Sequence, residues 1–345
     1  MKSRVTLLFA AALALAVGSL GCSGNGDGNG TGGTGGTGGM AGTGGSDPSG
    51  WVVQNSGTTN TLYGVSFTDA NTGTAAGVAG TILRTTDGGA TWEPQESGAT
   101  DADLYAVSFT DSNNGTTVGS LTIGLDDAVI VRTTDGGETW EPQNSGSRDF
   151  LYGVSMTDAN TGTVVGRRGT ILRTTDGGTT WEPQDFPFIV SESFEAVSFT
   201  DANIGTIVEQ SGVILRTTDG GETWVEQTAP GIYGWNGVWF TDANTGTAVG
   251  DVGTIIRTTD GGETWVEQTS GTTDDLRAVS FADRNNGVAV GDGGTILRTT
   301  NGGATWVEQA SETFRALYGV SMTDANTATA VGDQGTIVRT NAGGG

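Results

Sequence analysis

From residue 51 onward the apolar residues come in short β-forming runs separated by Asp, Asn and Gly, and no helical period runs through them. The first run, Leu62-Tyr-Gly-Val-Ser-Phe67, recurs as Leu104 to Phe109, Leu151 to Met156, Phe194 to Phe199, Trp235 to Phe240, Leu276 to Phe281 and Leu317 to Met322. An Asp-x-Asn-x-Gly segment follows each, beginning at Asp69, Asp111, Asp158, Asp201, Asp242, Asp283 and Asp324, with Ala328 in place of the last Gly. Next come a second run such as Thr247-Ala-Val-Gly250 and a third such as Gly253 to Thr258. The unit closes on Thr-Thr-Asp-Gly-Gly-x-Thr-Trp, starting at Thr85, Thr133, Thr174, Thr217 and Thr258, and at Thr299 with Asn301 replacing Asp. Successive boxes lie 48, 41, 43, 41 and 41 residues apart. Four strands repeated at that period predict an all-β chain: a seven-bladed β-propeller of four-stranded antiparallel blades, none stable without its neighbours.

The seventh unit runs out at Arg339-Thr340, where its box and fourth strand are due. The missing strand stands at the other terminus of the domain, since Trp51-Val-Val-Gln-Asn-Ser-Gly57 matches Trp140-Glu-Pro-Gln-Asn-Ser-Gly146. The N-terminal strand is therefore expected to complete the last blade and close the ring. Pro94, Pro142 and Pro183 each follow the first residue of a fourth run. Proline in a sheet is confined to edges and strand ends, so the fourth strand is expected at the outer edge.

Composition narrows the chemistry. The 345 residues include 39 Asp and Glu against 15 Lys and Arg, a formal charge of −24, and no His. Imidazole is thus unavailable as a general base or metal ligand. The acidic balance points to neutral or cationic partners and away from nucleic acid. The single Cys, Cys22, rules out disulfides within one chain. Residues 1–21 read as a signal peptide, with Lys2 and Arg4 before an apolar run from Val5 to Val17 that is too short to span a bilayer. Ser19-Leu-Gly-Cys22 resembles the bacterial lipoprotein signal, which makes Cys22 a lipidation site, and Ser23 after it resembles lipoproteins sorted to the outer membrane. Residues 22–50 are a Gly/Thr-rich tether with a reach of about 30 Å. The propeller occupies 51–345 and reads as a monomer that meets the membrane through its lipid anchor alone.

The closing box resembles the Asp-box, or bacterial neuraminidase repeat, of sialidases and of many non-enzymatic propellers. That resemblance implies a folding role for Asp87, Asp135, Asp176, Asp219, Asp260 and Asn301. Their side chains would accept backbone N–H bonds in the hairpin between strands three and four, and the box Trp would pack into the blade. Asp followed by two Gly also suits a tight turn with positive φ. The fuller unit, running through Val-Gly-x-x-Gly-Thr-Ile-Leu-Arg-Thr-Thr-Asp-Gly-Gly, is similar to the photosystem II stability and assembly factor family across 51–345. The resemblance implies a non-catalytic propeller of the kind that helps assemble membrane complexes. No basic cluster in this acidic chain matches that family's partner-binding surface.

Several residue sets invite a site reading. Arg84, Arg132, Arg173, Arg216, Arg257, Arg298 and Arg339 recur once per unit and are expected to pair with an acid or carbonyl of their own blade. The Asp-x-Asn-x-Gly segments have Gly at position five and no Glu at twelve, which fits hairpins rather than calcium loops. No metal or other cofactor is expected. In a meander, the one-to-two and three-to-four loops share one face and are nearly constant here. The other two loops vary, and that face is the expected binding surface. It carries Asp126, Asp127, Arg148, Phe150, Arg167, Arg168, Phe188, Glu209, Tyr233 and Trp235. Trp239 stands where the other six units have Ser. The reading is a non-catalytic cell-envelope scaffold that engages a protein or glycan, with no catalytic residue. The alternative is a sialidase-like glycoside hydrolase, in which pairs of acids such as Asp126 and Glu209 would carry the chemistry; the Arg-Ile-Pro motif of sialidases is absent.

Overall fold

The computed structural model describes residues 50–122, 127–186, 193–231 and 233–340. The signal peptide, the tether, Cys22, Asp126 and Phe188 therefore lie outside the described residues. Within them the chain forms seven four-stranded antiparallel sheets in up-and-down order, each joined to the next by sequence. The innermost strands are the recurrent apolar runs, and all seven line a common axial cavity. The last sheet takes its outer strand from Trp51–Gln54, which pairs with Ile337–Thr340 in the register Trp51↔Thr340 to Gln54↔Ile337. The ring is thus closed by main-chain ladder bonds between the two ends of the domain. Short 3-10 turns, among them Val78–Gly80, Arg167–Gly169 and Asp251–Gly253, link second and third strands and had no counterpart in the sequence pattern.

Each apolar cluster is shared by two blades. Val249 and Ile255 of the fifth blade, for example, pack with Leu276, Phe281, Leu297 and Trp306 of the sixth. In five blades the aromatic residue ending the inner strand meets the box Trp edge-on at 5.9–6.1 Å, as in Phe67–Trp92. Such pairs contribute about 1 kcal/mol beyond area burial. The glycine that ends the hairpin turn is required by this packing, since a Cβ on Gly73 would lie 2.5 Å from the Phe67 ring. The seventh blade accommodates Ala328 there by using Met322 instead of Phe and adding an irregularity between Met322 and Asp324.

Side chains fasten neighbouring blades at three levels. First, the arginines reach across the junction. Arg84 Nη2 donates to Ser112 O of the next blade at 2.6 Å, Arg257 does so to Arg284 O at 2.6 Å, and Arg339 closes the circle on Ala70 O at 2.5 Å. This corrects the expectation of pairing within a blade. The guanidinium is held by its own blade's Thr, as in Arg216 Nη1 to Thr206 Oγ1 at 2.7 Å. Its free edge is then directed at the neighbouring turn. Where the next inner strand ends in Phe, the guanidinium also lies 4.5–5.3 Å over that ring.

Second, the inner-strand serines accept the main-chain N–H of the following blade, as in Phe109 N to Ser66 Oγ and Phe67 N to Ser321 Oγ, both 3.1 Å. Trp239 interrupts this series, and the hydroxyl that would receive the Phe281 amide is missing there. Third, a glutamine in the outer strand clamps the next box. Gln268 Oε1 accepts from Trp306 Nε1 at 3.1 Å, while its Nε2 donates to Gly302 O at 3.1 Å. Gln54, Gln95, Gln143 and Gln227 repeat this arrangement. At the junction of blades three and four, Gln184 reaches Gly220 O, but Gln184 Oε1 and Trp224 Nε1 are buried without a partner among the described residues.

Inside each box the Asp carboxylate accepts three bonds. Asp135 receives Thr133 Oγ1 at 2.7 Å, Thr139 N at 3.0 Å and Thr139 Oγ1 at 2.6 Å. These bonds hold its pKa down at about 2. Asn301 keeps the same geometry by donating its own amide to Thr305 Oγ1. The clamp makes a differential prediction. Gln268→Ala leaves the Trp306 indole N–H buried and unpaired and is expected to cost about 1–3 kcal/mol in urea unfolding. Gln184→Ala is expected to cost clearly less, because Trp224 already lacks that acceptor. Equal losses in the two variants would show that the glutamines act through packing alone.

Candidate functional site

The two ends of the propeller differ in how far they are fixed. On one, the box turn donates to the hairpin turn of its own blade, as in Gly88 N to Asn71 O at 2.9 Å, and this bond repeats through six blades. On the other, the loops after the second and fourth strands meet, as in Arg167 N to Phe150 O at 2.8 Å and Asp251 N to Gly234 O at 3.0 Å. The side chains of that second end vary from blade to blade.

At this variable end the axial cavity opens through the second residue of each inner strand. Going round the ring these are Tyr63, Tyr105, Tyr152, Glu195, Asn236, Arg277 and Tyr318, enclosing a space of about 190 Å³. Seven positions equivalent in the repeat thus form an unequal ring. Four consecutive blades present tyrosines, with centroids 5.5 Å (Tyr318–Tyr63), 5.3 Å (Tyr63–Tyr105) and 5.4 Å (Tyr105–Tyr152) apart and planes tilted by 51–55°. The other three present a carboxylate, an amide and a guanidinium.

The polar arc is partly tied down. Asn236 Nδ2 donates to Asp251 Oδ1 at 3.1 Å and to Leu276 O at 3.0 Å. Arg277 forms a two-pronged pair with Asp292, Nε to Oδ1 at 2.9 Å and Nη2 to Oδ2 at 2.7 Å, and approaches Asp275 at 3.3 Å. These bonds raise the Arg277 pKa. Glu195 differs: among the described residues no donor reaches its carboxylate. Burial pushes its pKa up to about 7, against the opposing pull of Arg277 and with Asp251 adding to the rise. Burial likewise pushes Tyr63 up to about 12, aided by Asp103 and Asp333, and raises Tyr152 and Tyr318, which face Glu195 and Asp333 respectively. Among the charges that act on these tyrosines, carboxylates outnumber guanidinium groups.

The residues expected from sequence scatter over this end of the propeller. Phe150 lies 5.3 Å beneath Arg167 and meets Tyr152 edge-on at 6.4 Å, so these two adjoin the tyrosine arc. Arg168 pairs with Asp149 at 2.8 Å, and Arg148 stands 3.9 Å from Asp127, both at the exposed rim where ion pairs contribute little. Tyr233 is half-buried against the core of the fifth blade.

Two expectations need correction. Trp235 occupies the Leu position of its strand, is 1% exposed, and donates Nε1 to Gly212 O at 3.0 Å, so it is a core residue. Glu209 is also buried, at the position held by Gly77 and its equivalents, and receives Ser211 Oγ at 2.5 Å. A Cβ on Gly77 would lie 2.1 Å from Thr61 O, and the fourth blade yields to fit Glu209 by lengthening Gln210 N to Ser193 O to 3.3 Å. Glu209 is not placed to act on a ligand.

The tyrosine arc lies in the strands rather than in the variable loops where the sequence points for a binding surface. Its signal was nonetheless in the strands: one position changes chemistry among Tyr, Glu, Asn and Arg while its neighbours stay constant. Larger clefts of about 330–390 Å³ lie between box and outer strand at several blade junctions. Their recurrence in repeated residues marks them as by-products of the repeat. Among the described residues no group of three or more Asp, Glu, Cys or His is placed to hold a metal ion.

A family model described as photosynthesis system II assembly factor YCF48 matches residues 45–143, 143–229 and 235–345. No curated protein matches the chain by sequence. Among solved structures, YCF48 bound to D1 peptide is similar at 21% identity over 84% of this chain and 96% of that one, with a TM-score of 0.69. YCF48 from Cyanidioschyzon merolae is similar at 20% identity over 84% and 98%, with a TM-score of 0.70. The GH74 xyloglucanase from Xanthomonas campestris is similar at 14% identity over 85% of this chain and 54% of that one, with a TM-score of 0.67. At these identities the structural likeness concerns the fold.

The raised pKa of Glu195 sets a pH dependence. The group ionises near pH 4.5 when unfolded and near 7 when folded, so stability is fully present below 4.5 and falls as pH rises through 7. Glu195→Gln is therefore expected to stabilise the protein at pH 8, by up to about 3 kcal/mol, and the gain should vanish below pH 4.5. Melting curves across this range check it; a gain independent of pH would mean that Glu195 is not desolvated.

Proposed function

The chain belongs to the photosynthesis system II assembly factor YCF48 family, and from that premise we propose that it is a non-catalytic binding propeller that holds a polypeptide segment on its variable end. The observation that carries this reading is the unequal ring at the axial mouth, where four tyrosines face Glu195, Asn236 and Arg277. Tyrosine supplies large, rigid contact area with a polar tip, a combination favoured where proteins meet. A propeller of the same fold, YCF48, is known bound to D1 peptide, which supports a peptide as the class of ligand. The scaffold is suited to the task, since loops and strand starts vary at one end while the fastened end keeps the ring rigid.

A hydrolase reading draws less support. Glu209 is buried behind Ser211, and Asp126 lies outside the described residues. Within the mouth ring Glu195 is the single carboxylate, and a two-carboxylate mechanism needs a second across the scissile bond. On the sequence of residues 1–50 the propeller is exported and tethered through Cys22, which would present the variable end to other envelope proteins.

The test applies the purified full-length protein to a peptide array, a glycan array and a panel of aryl glycosides. Peptide binding is expected, lost in Tyr105→Ala and retained in Trp239→Ala at the opposite end. Turnover of any glycoside, or glycan binding that survives Tyr105→Ala, would overturn the proposal.

A further inference from the structure

The chemistry of the mouth narrows the ligand, on the premise that a polypeptide binds there. At the opposite end of the inner strands the aromatic rings are already occupied: Phe67, Phe109, Phe199, Phe240 and Phe281 each lie under an arginine of the preceding blade. Among the described residues no cation lies over the four tyrosines at the mouth. With the residues that follow them in each inner strand they line a space of about 190 Å³, room for one side chain rather than a folded element. The surrounding charges are mostly acidic, with Asp103 and Asp333 acting on Tyr63, Asp333 and Asp292 on Tyr318 and Glu195 on Tyr152, against Arg167 on Tyr152 and Arg277 on Tyr318. Arg277, the one cation of the ring, is already matched by Asp292 and Asp275.

We propose that the mouth is a receptor for a basic side chain, in which a lysine or arginine of the bound polypeptide enters along the axis. Its cation rests against the tyrosine arc and ends at the Glu195 carboxylate. Such a guest supplies a donor for Glu195, which no described residue provides, and a positive charge for the rings. It also explains why a carboxylate stands at a position where burial disfavours its charge. A cation brought to Glu195 favours the ionised form, so binding strengthens as pH rises through about 7. The charged or titratable groups facing Glu195 are Arg277, Asp251 and Tyr152; the bonds to Asp292 raise the Arg277 pKa and burial raises that of Tyr152, which keeps both charge states constant between pH 5.5 and 8.5.

The experiment titrates the full-length protein with blocked Gly-Gly-x-Gly-Gly peptides, where x is Lys, Arg, Gln or Glu, followed by ligand-observed NMR. Lys and Arg peptides are expected to bind about tenfold more tightly than Gln, with Glu weakest. Tyr105→Leu and Glu195→Gln should each weaken the Lys peptide about fivefold or more at pH 8. Glu195→Gln should also abolish the rise in affinity between pH 5.5 and 8.5, while melting curves show both variants folded. Equal binding of Gln and Lys peptides, no detectable Lys binding, or Lys binding unchanged in the Tyr105→Leu, Glu195→Gln double variant would overturn the proposal. The polypeptide reading fails separately: array peptides that keep their affinity after Lys and Arg are replaced by Gln, yet lose it in Tyr105→Ala, sink the basic receptor and leave that reading standing.

Discussion

Blades in this ring are fastened to one another by side chains, because the ladder hydrogen bonds stop at each outer strand. The guanidinium that leaves one sheet and ends on the next turn carbonyl recurs at every junction. It satisfies an otherwise unpaired carbonyl with a charged donor, and in five junctions it also covers the next blade's phenylalanine. Each guanidinium is in turn positioned by a neighbouring hydroxyl or by packing, so the turn, the box and the inner strand of two blades are held as one unit. Seven such junctions in a circle leave no terminal blade exposed, and the seam between first and last carries the same bonds as the rest.

That architecture explains what could be seen from sequence. Blade number, strand order and the borrowed strand Trp51–Gln54 followed from repetition, since a position that recurs seven times announces its place in the unit. Repetition does not say with whom a side chain pairs. Arg84 and its equivalents looked self-contained because the acids and carbonyls of one blade are identical to those of the next, and only geometry chooses between them. The outer-strand glutamines escaped notice for the same reason: they act on a tryptophan some 38 residues away, in another blade. Trp235 looked like a contact residue because it breaks the pattern, yet it fills the Leu position and belongs to the core. Position in the repeat outweighed residue type.

The site illustrates the converse. Tyr63, Tyr105, Tyr152 and Tyr318 sit in the most regular strands of the chain, where uniformity was taken to mean structure alone. At the axis, however, equivalent positions from all seven blades converge, and differences too small to disturb any one sheet add up to a ring with an aromatic side and a polar side. Glu195 shows what such a position can hold: a carboxylate whose charge burial disfavours and which no donor among the described residues reaches.

A ligand at the axis has a property that a ligand on the rim lacks. The mouth is built from one residue per blade, so whatever binds there is in contact with a surface that exists only while the circle is closed. Binding to the closed form alone must stabilise that form by mass action, regardless of which junction is the weakest. At the junction between the third and fourth blades the clamp is incomplete, with the Gln184 oxygen and the Trp224 indole N–H unpaired among the described residues. This is also where Tyr152 gives way to Glu195, the boundary between the two arcs of the ring. A guest bridging tyrosine and carboxylate would span that junction directly, so occupancy of the mouth and integrity of the ring are two readings of the same equilibrium.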